Sequence, residues 1–331
     1  MPYAVQAVRA GGPEVFESVE VPRPVPGPGQ LLVKVAAAGV NFIETYQRAG
    51  VYPVDYPFIP GSEAAGTVVE VGPGVEGFAP GDRVAGSDGN GTYADYTLMP
   101  AGKTFHVPDA VSDDAAAALP LQGMTAHYLI NSSFKVSPGD KVLTYAGAGG
   151  VGLLLTQLLK LRGATVITTT STPEKAALAR AAGADHVLGY EEVPDAIRSV
   201  TGGRGVDVVY DGIGKDTFES SLAALRTRGT VVLFGGASGQ VPPFDLQRLN
   251  GLGSLTVTRP KLADFTRDAD EVRWRSGEIM SLAADGRLDV RIGGLYPLAD
   301  VGRAHSDLES RATTGKTLLV PGGSRLAGGL S

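Results

Sequence analysis

The chain has 331 residues, room for two domains with separate cores, and its apolar and charged fractions of 43% and 19% are those of a globular protein. Lysine and arginine number 29 against 35 acidic residues, and the net charge of −6 gives no electrostatic footprint for nucleic acid or an anionic membrane. With no cysteine, disulfides and thiolate metal sites are excluded, and four scattered histidines argue against a catalytic zinc. No apolar run reaches the roughly 18 residues of a membrane span. Residues 1–12 lack a signal-peptide core, so the expected location is the cytoplasm.

In chain order, residues 4–8 are expected to pair with 15–19, and Pro22, Pro24, Pro26 and Pro28 make 21–28 a loop. Apolar strands follow at 30–38 and 67–71, the second closed by Gly72-Pro73-Gly74. Pro80-Gly81-Asp82 leads into another strand, as Pro138-Gly139-Asp140 does later; this is one turn chemistry used twice, not an internal repeat. Short strands with frequent glycine and proline predict a β-rich, partly open barrel. Segments 113–119 and 124–130 read as helices bridging into a second domain.

That second domain opens with the stretch around which the chain is organised. Lys141-Val142-Leu143-Thr144-Tyr145 is a short apolar run of the kind that makes a buried strand. It ends in Ala146-Gly147-Ala148-Gly149-Gly150-Val151-Gly152, and Leu153, Leu154, Leu158 and Leu161 then follow helical spacing. Gly147, Gly149 and Gly152 match G-x-G-x-x-G in the strand–turn–helix context where it denotes a dinucleotide site. Glycine lets the backbone turn sharply and approach a pyrophosphate, and the first N–H groups of the helix, at Gly150, Val151 and Gly152, face that anion.

Strands at 163–169, 186–189, 206–210, 230–234 and 255–258 alternate with helices at 173–182, 193–200 and 216–225, which predicts a doubly wound parallel sheet. About 20 residues beyond the glycines an NAD site places an acid for the ribose hydroxyls. Here stand Thr168-Thr169-Thr170-Ser171, with Lys175 one turn into the next helix. The hydroxyls of Thr170 and Ser171 with the Lys175 ammonium suit a 2′-phosphate, so the expected cofactor is NADP(H).

The run Gly253-Ser254-Leu255-Thr256-Val257-Thr258 is apolar and β-branched, with no charge or proline until Arg259-Pro260. As a sixth, outermost strand it needs a partner, and antiparallel pairing with its two-fold copy predicts a homodimer. Beyond Pro260 come a long helical stretch, 264–285, short strands at 290–292 and 317–320, and a helix at 298–309 between them, all assigned back to the first domain. The expected domains are therefore 1–121 with 262–331, and 122–261. The glycine-rich tail 322–331 has no expected role.

Taken together, the residues resemble the medium-chain dehydrogenase/reductase superfamily, and within it the zinc-free NADPH:quinone oxidoreductases of zeta-crystallin type. The resemblance rests on Gly11-Gly12-Pro13-Glu14-Val15, Gly39 to Tyr46, Gly50-Val51-Tyr52-Pro53, Gly61 to Gly66, Ala146 to Gly152 and Glu309 to Gly315. Where zinc members carry a cysteine after Gly-Val this chain has Asn41, and where they have Gly-His-Glu it has Gly61-Ser62-Glu63. The resemblance implies a GroES-like first domain, a Rossmann second domain and an active site in the cleft between them. It also implies the same homodimer.

It further implies that Asn41, Tyr46 and Gln122 lie beside the nicotinamide and Tyr52 near the acceptor's entrance; Gln122 replaces a lysine of some relatives. Tyr190 resembles the residue covering the adenosine end, Phe234, Gly235 and Ser238 would border the nicotinamide ribose, and Arg259 and Arg311 resemble arginines near the cofactor. Glu63 is a buried-carboxylate candidate with an arginine as the expected counter-charge. His106, His127, His186 and His305 have no metal spacing and read as structural or exposed. The implied reaction is hydride or electron transfer from NADPH to a quinone or another conjugated carbonyl. An enone or alkenal double-bond reductase stays open, as does a non-catalytic NADPH-binding protein of crystallin-like or RNA-binding kind; the acidic balance argues against nucleic acid.

Overall fold

The computed structural model describes residues 1–322 except 90 and 194, so the tail 323–331 lies outside the described residues. The chain forms two compact units, residues 125–265, and 1–124 together with the described part of 266–331.

In the first unit, β1 (Tyr3–Ala7) pairs antiparallel with β2 (Phe16–Glu20), Ala4 facing Val19, as the sequence predicts. The central strand β3 (Gln30–Val40) is long enough to serve three neighbours. It pairs with β4 (Glu63–Val71), with β6 (Tyr96–Pro100) and with the late strand Lys316–Val320. On the far side, β5 (Arg83–Ser87) joins β4 to β7 (Thr104–His106). The sheet is open among the described residues, and its inward faces bury Val5, Val35, Val40, Tyr93, Val301 and Leu319 in one core. β4 starts at Glu63, four residues before the run at Thr67 that marks it in the sequence, because Ala64, Ala65 and Gly66 pair with β5 through backbone alone.

In the second unit, β8 (Lys141–Thr144), β9 (Thr165–Thr169), β10 (His186–Leu188), β11 (Val206–Asp211), β12 (Leu225–Leu233) and β13 (Thr256–Thr258) form one parallel sheet in the order β10-β9-β8-β11-β12-β13. This is the doubly wound order, with the reversal between β8 and β11, and ligands of such sheets bind at that reversal beyond the strands' carboxyl ends. All six residues of β11 are buried, as expected of a strand covered on both faces. β13 is the outermost strand, where the sequence puts it.

The return of the chain differs in detail. The predicted 264–285 helix is a short 3-10 turn, Leu262–Phe265, and a separate α-helix, Ala269–Ala284, capped by Asp268, whose side chain accepts from Glu271 N at 2.9 Å. The predicted strand at 290–292 is instead β14 (Ile292–Pro297), which runs parallel to β15 (Lys316–Val320). Gly293 and Gly294 hid it, since glycine weakens a strand pattern; at Gly293 any Cβ would strike the Thr314 carbonyl.

Candidate active site

In the first unit the site is built from the helix Phe42–Arg48, whose start is held by the Glu44 carboxylate. Asn41 N donates to Glu44 Oε2 at 2.8 Å, and Ser62 N donates to the other oxygen of Glu44 at 3.1 Å. Glu44 is fully buried, and burial, opposed by the hydrogen bond from Ser62 and the charge of Lys316, pushes its carboxyl up to about 7. The helix presents Tyr46, whose ring meets that of Tyr52 edge-on at 5.5 Å and lies 6.2 Å from Phe42. Tyr52 is 38% exposed, so this aromatic pair is partly accessible at the surface.

Asn41 itself is held by a buried ion pair. Its Nδ2 donates to Glu63 Oε1 at 2.8 Å, its Oδ1 accepts from Lys316 Nζ at 2.6 Å, and Lys316 is also paired with Glu63 Oε1. Glu63's second oxygen accepts from Leu121 N at 2.6 Å, one residue before Gln122. Gln122 Oε1 is buried without a hydrogen-bond partner among the described residues. The expected arginine counter-charge for Glu63 is thus a lysine from β15. Sequence reasoning missed Lys316 and Glu44; Asn41-x-x-Glu44 is a capping pattern that signals the helix, whereas nothing local marks Lys316.

Glu63 also explains a glycine. A Cβ on Gly39 would come within 3.0 Å of the Glu63 side chain, so Gly39 is required by the carboxylate lying against it. Among the described residues no group of three histidines or acids is placed to hold a metal ion. His305 is buried and neutral, its pKa held down to about 3 by burial and Arg48; Arg48 Nη1 donates to its Nδ1, which leaves Nε2–H for Tyr93 Oη. His127 is buried, while His106 and His186 lie at the surface. Arg311, also in this unit, is exposed, with a left-handed φ of 59° just after the helix Val301–Glu309.

In the second unit the glycine turn has the tight form the sequence implies. Ala146 sits at φ 56°, and a Cβ on Gly152 would come within 3.0 Å of the Ala146 carbonyl oxygen. On Gly147 it would strike the Thr168 side chain. Gly149 differs: it is the N-cap of the helix Gly150–Leu161, with φ −75° and ψ 169°, and its nearest obstacle is Ala146 O at 3.2 Å. The N–H groups of Gly150, Val151 and Gly152 at the helix start suit a pyrophosphate, and Gly149, with no side chain, lets one approach.

At the end of β9 an open depression of about 230 Å³ is lined by Thr170, Ser171, Thr172 and Pro173 facing Val187, Leu188 and Gly189. No carboxylate lines it, and Thr172 caps the helix that carries Lys175. Tyr190, next to Gly189, stacks on Tyr145 at 6.0 Å. Beyond β12, Gly235 packs on Gly212 so closely that no Cβ fits, Phe234 covers Gly212, and Ser238 Oγ donates to Ile213 O at 2.9 Å. Arg259 is exposed, and its guanidinium donates to Pro260 O at 3.3 Å. The cradle and the depression fit a phosphorylated dinucleotide.

Two family models match, described as "Alcohol dehydrogenase GroES-like domain" over residues 27–109 and "Zinc-binding dehydrogenase" over 150–271. A quinone oxidoreductase of Salmonella typhimurium is 43% identical over 319 residues, covering 94% of this chain and 97% of its own. A 2-haloacrylate reductase of a Burkholderia species is 42% identical over 323 residues, 95% and 97% of the two chains. A mycobacterial protein solved in complex with NADPH superposes with a TM-score of 0.94 at 50% identity, covering 96% of this chain and all of that one. The chain belongs to the quinone oxidoreductase family of the medium-chain dehydrogenases/reductases.

Proposed function

We propose that the protein is a zinc-independent NADPH:quinone oxidoreductase acting on a quinone or similar conjugated carbonyl. The observation that carries this reading is the carboxylate-free, hydroxyl-lined depression at Thr170 and Ser171 in a chain similar end to end to quinone oxidoreductases. Bound NADPH supplies the hydride. Gly147, Gly149, Gly150, Val151 and Gly152 hold the pyrophosphate, and Thr170, Ser171 and Lys175 take the 2′-phosphate. Tyr190 covers the adenosine, Phe234, Gly235 and Ser238 border the nicotinamide ribose, and Arg259 and Arg311 add positive charge near the cofactor. In this reading residues 122–261 bind the cofactor and 1–121 with 262–331 bind the acceptor.

The acceptor is already electrophilic, so the protein needs to orient it and to steady its developing oxyanion rather than supply a Lewis acid. Asn41, Tyr46 and Gln122 do this on the nicotinamide side, and Tyr52 stacks on the entering ring. The protein is further proposed to work in the cytoplasm as a homodimer joined along 253–258. Among the described residues no helix is long and apolar enough to cross a membrane.

The similarity to a 2-haloacrylate reductase supports a second reading, reduction of a conjugated carbon–carbon double bond. NADPH oxidation measured against a panel of quinones, enones and 2-haloacrylates tests both. Turnover with quinones is expected. Turnover with the alkenes alone selects the second reading, and no acceptor-dependent oxidation leaves a non-catalytic NADPH-binding protein.

A further inference from the structure

We infer that Lys316 is a positioning residue: with Glu63 it locks the Asn41 carboxamide in one orientation and leaves a single Nδ2–H for the bound cofactor or acceptor. The inference rests on the reading of Asn41 as a site residue. All three partners are buried, Glu63 at 0%, Lys316 at 1% and Asn41 at 5% exposure. Their contacts close a triangle. Lys316 bridges Asn41 Oδ1 and Glu63 Oε1, and Asn41 Nδ2 returns to the same carboxylate oxygen.

The chemistry of the partners decides which way the amide faces. An ammonium has only donors and must meet the carbonyl oxygen; a carboxylate has only acceptors and must meet the NH2. A flipped amide would set Oδ1 against Glu63 and Nδ2 against Lys316, two repulsive contacts in place of two attractive ones. One Nδ2 hydrogen is spent on Glu63, and among the described residues no acceptor takes the second. A buried donor left unmade is costly, which favours a ligand atom that accepts it.

The triangle cannot swing as a body. Glu63 is wedged against Gly39, where even a Cβ has no room, and its other oxygen holds Leu121 N at 2.6 Å. The backbone of Asn41 is separately pinned by Glu44. One carboxylate therefore ties the Asn41 side chain to the start of the segment that carries Gln122. A buried ion pair is poor evidence for stability by itself, because well-packed apolar residues often do as well. What apolar residues cannot do is orient an amide.

The test compares Asn41→Leu, the double variant Glu63→Met/Lys316→Met, and the triple combination, each as full-length enzyme with NADPH and a quinone. The double variant removes both charges together, so no buried charge is left unpaired. Expected is a loss of about tenfold in kcat for Asn41→Leu, as for one lost hydrogen bond. The double variant should lose about as much, with its KM for NADPH near wild type and its melting temperature lowered by a few degrees because Leu121 N also loses its acceptor. The triple variant should be no worse than either, since residues acting through one another are not additive.

Wild-type kcat in the double variant beside an impaired Asn41→Leu overturns the inference, and so do losses that multiply in the triple variant. Wild-type kcat in Asn41→Leu removes the underlying reading of Asn41 instead, whatever the other variants do. If the double variant fails to fold, Glu63→Gln/Lys316→Gln makes the same comparison: the two neutral amides leave no buried charge unpaired and can serve either orientation of Asn41, so a reduced kcat at unchanged KM supports positioning and wild-type kcat overturns it.

Discussion

Gly149 and Gly152 belong to one motif, yet the structure assigns them different physical jobs, and substitution should separate these. Gly152 is needed by the fold: a Cβ there meets the backbone of Ala146 and Gly147, with Ala146 already in the left-handed region. Overpacking against backbone costs about 1–3 kcal/mol, offset by up to about 1 kcal/mol from alanine's better helix propensity. Gly152→Ala should therefore destabilise by roughly 1–2 kcal/mol, a fall of about 3–10 °C in melting temperature for a unit of this size. Gly149 is less tightly held: a Cβ there would meet Ala146 O at 3.2 Å, a close contact that a shift of a few tenths of an ångström relieves. Its φ of −75° and ψ of 169° suit any L-residue, and it occupies an N-cap, where serine is preferred to glycine. Gly149→Ser should move the melting temperature less than Gly152→Ala does, because the N-cap gain offsets the close contact with Ala146 O. It should nonetheless weaken NADPH by about tenfold or more, because losing one charge-assisted hydrogen bond of about 1.5–3 kcal/mol costs at least that factor. Thermal melts followed by circular dichroism and fluorescence titration with NADPH measure the two quantities. A Gly149→Ser protein that binds NADPH as the wild type does would refute the assignment of the pyrophosphate to this turn.

The same site yields further expectations. Lys175→Ala should reduce the preference for NADPH over NADH by about tenfold, the worth of one phosphate contact; an unchanged ratio of dissociation constants would dismiss Lys175. Tyr46→Phe should lower kcat/KM by about tenfold if its hydroxyl steadies the oxyanion, and an unchanged rate and pH profile would leave Tyr46 as packing. Glu44, raised from 4.5 to about 7 by burial, holds its proton more tightly folded than unfolded. Its contribution to stability is complete below pH 4.5 and lost as pH rises through 7, a change of roughly 3 kcal/mol at about 1.4 kcal/mol per pKa unit. Melting temperatures at pH 5 and pH 8 should show it, and Glu44→Gln should flatten the difference; an equally steep difference in that variant would place the effect elsewhere. Val257→Pro removes a ladder donor at the edge strand, so sedimentation at micromolar concentration should show a dimer in the wild type and monomer in the variant; an equally tight variant dimer would put the interface elsewhere.

Features whose cause is local were legible in the sequence. The parallel sheet announces itself because most strands of residues 141–258 are short apolar runs bounded by turn residues, β12 alone beginning with a polar half at Arg226-Thr227-Arg228, and the glycine turn because strand, glycines and helix stand in order. That the end of β9 carries hydroxyls and no acid at Thr170 and Ser171 could be read because an acid there has a fixed place relative to the glycines. Features whose cause is distant could not. Lys316 lies 253 residues from Glu63, and nothing in Gly315-Lys316-Thr317 says that its ammonium is buried. Gly39 looks like a turn glycine, although it stands mid-sheet to make room for a carboxylate from the neighbouring strand. β14 fell between the two cases: its glycines mask a strand whose pairing with β15 is set by backbone fit rather than by side-chain pattern.

The placement of β15 also bears on how the protein is made. Synthesis at about 5–20 residues per second brings out the contiguous unit 125–265, which can fold on emergence, well before the first unit can be finished. β3 waits for its neighbour until the chain has run through Lys316, and over the intervening 253 residues Glu63 waits roughly 10–50 seconds for its counter-charge. During that interval a carboxylate destined for the interior has only water or a proton to satisfy it. Nascent chains that stall within the last twenty residues before Val320 would carry an intact nucleotide-binding unit beside an unfinished one, which makes them candidates for capture by chaperones or proteases rather than slow-acting enzymes.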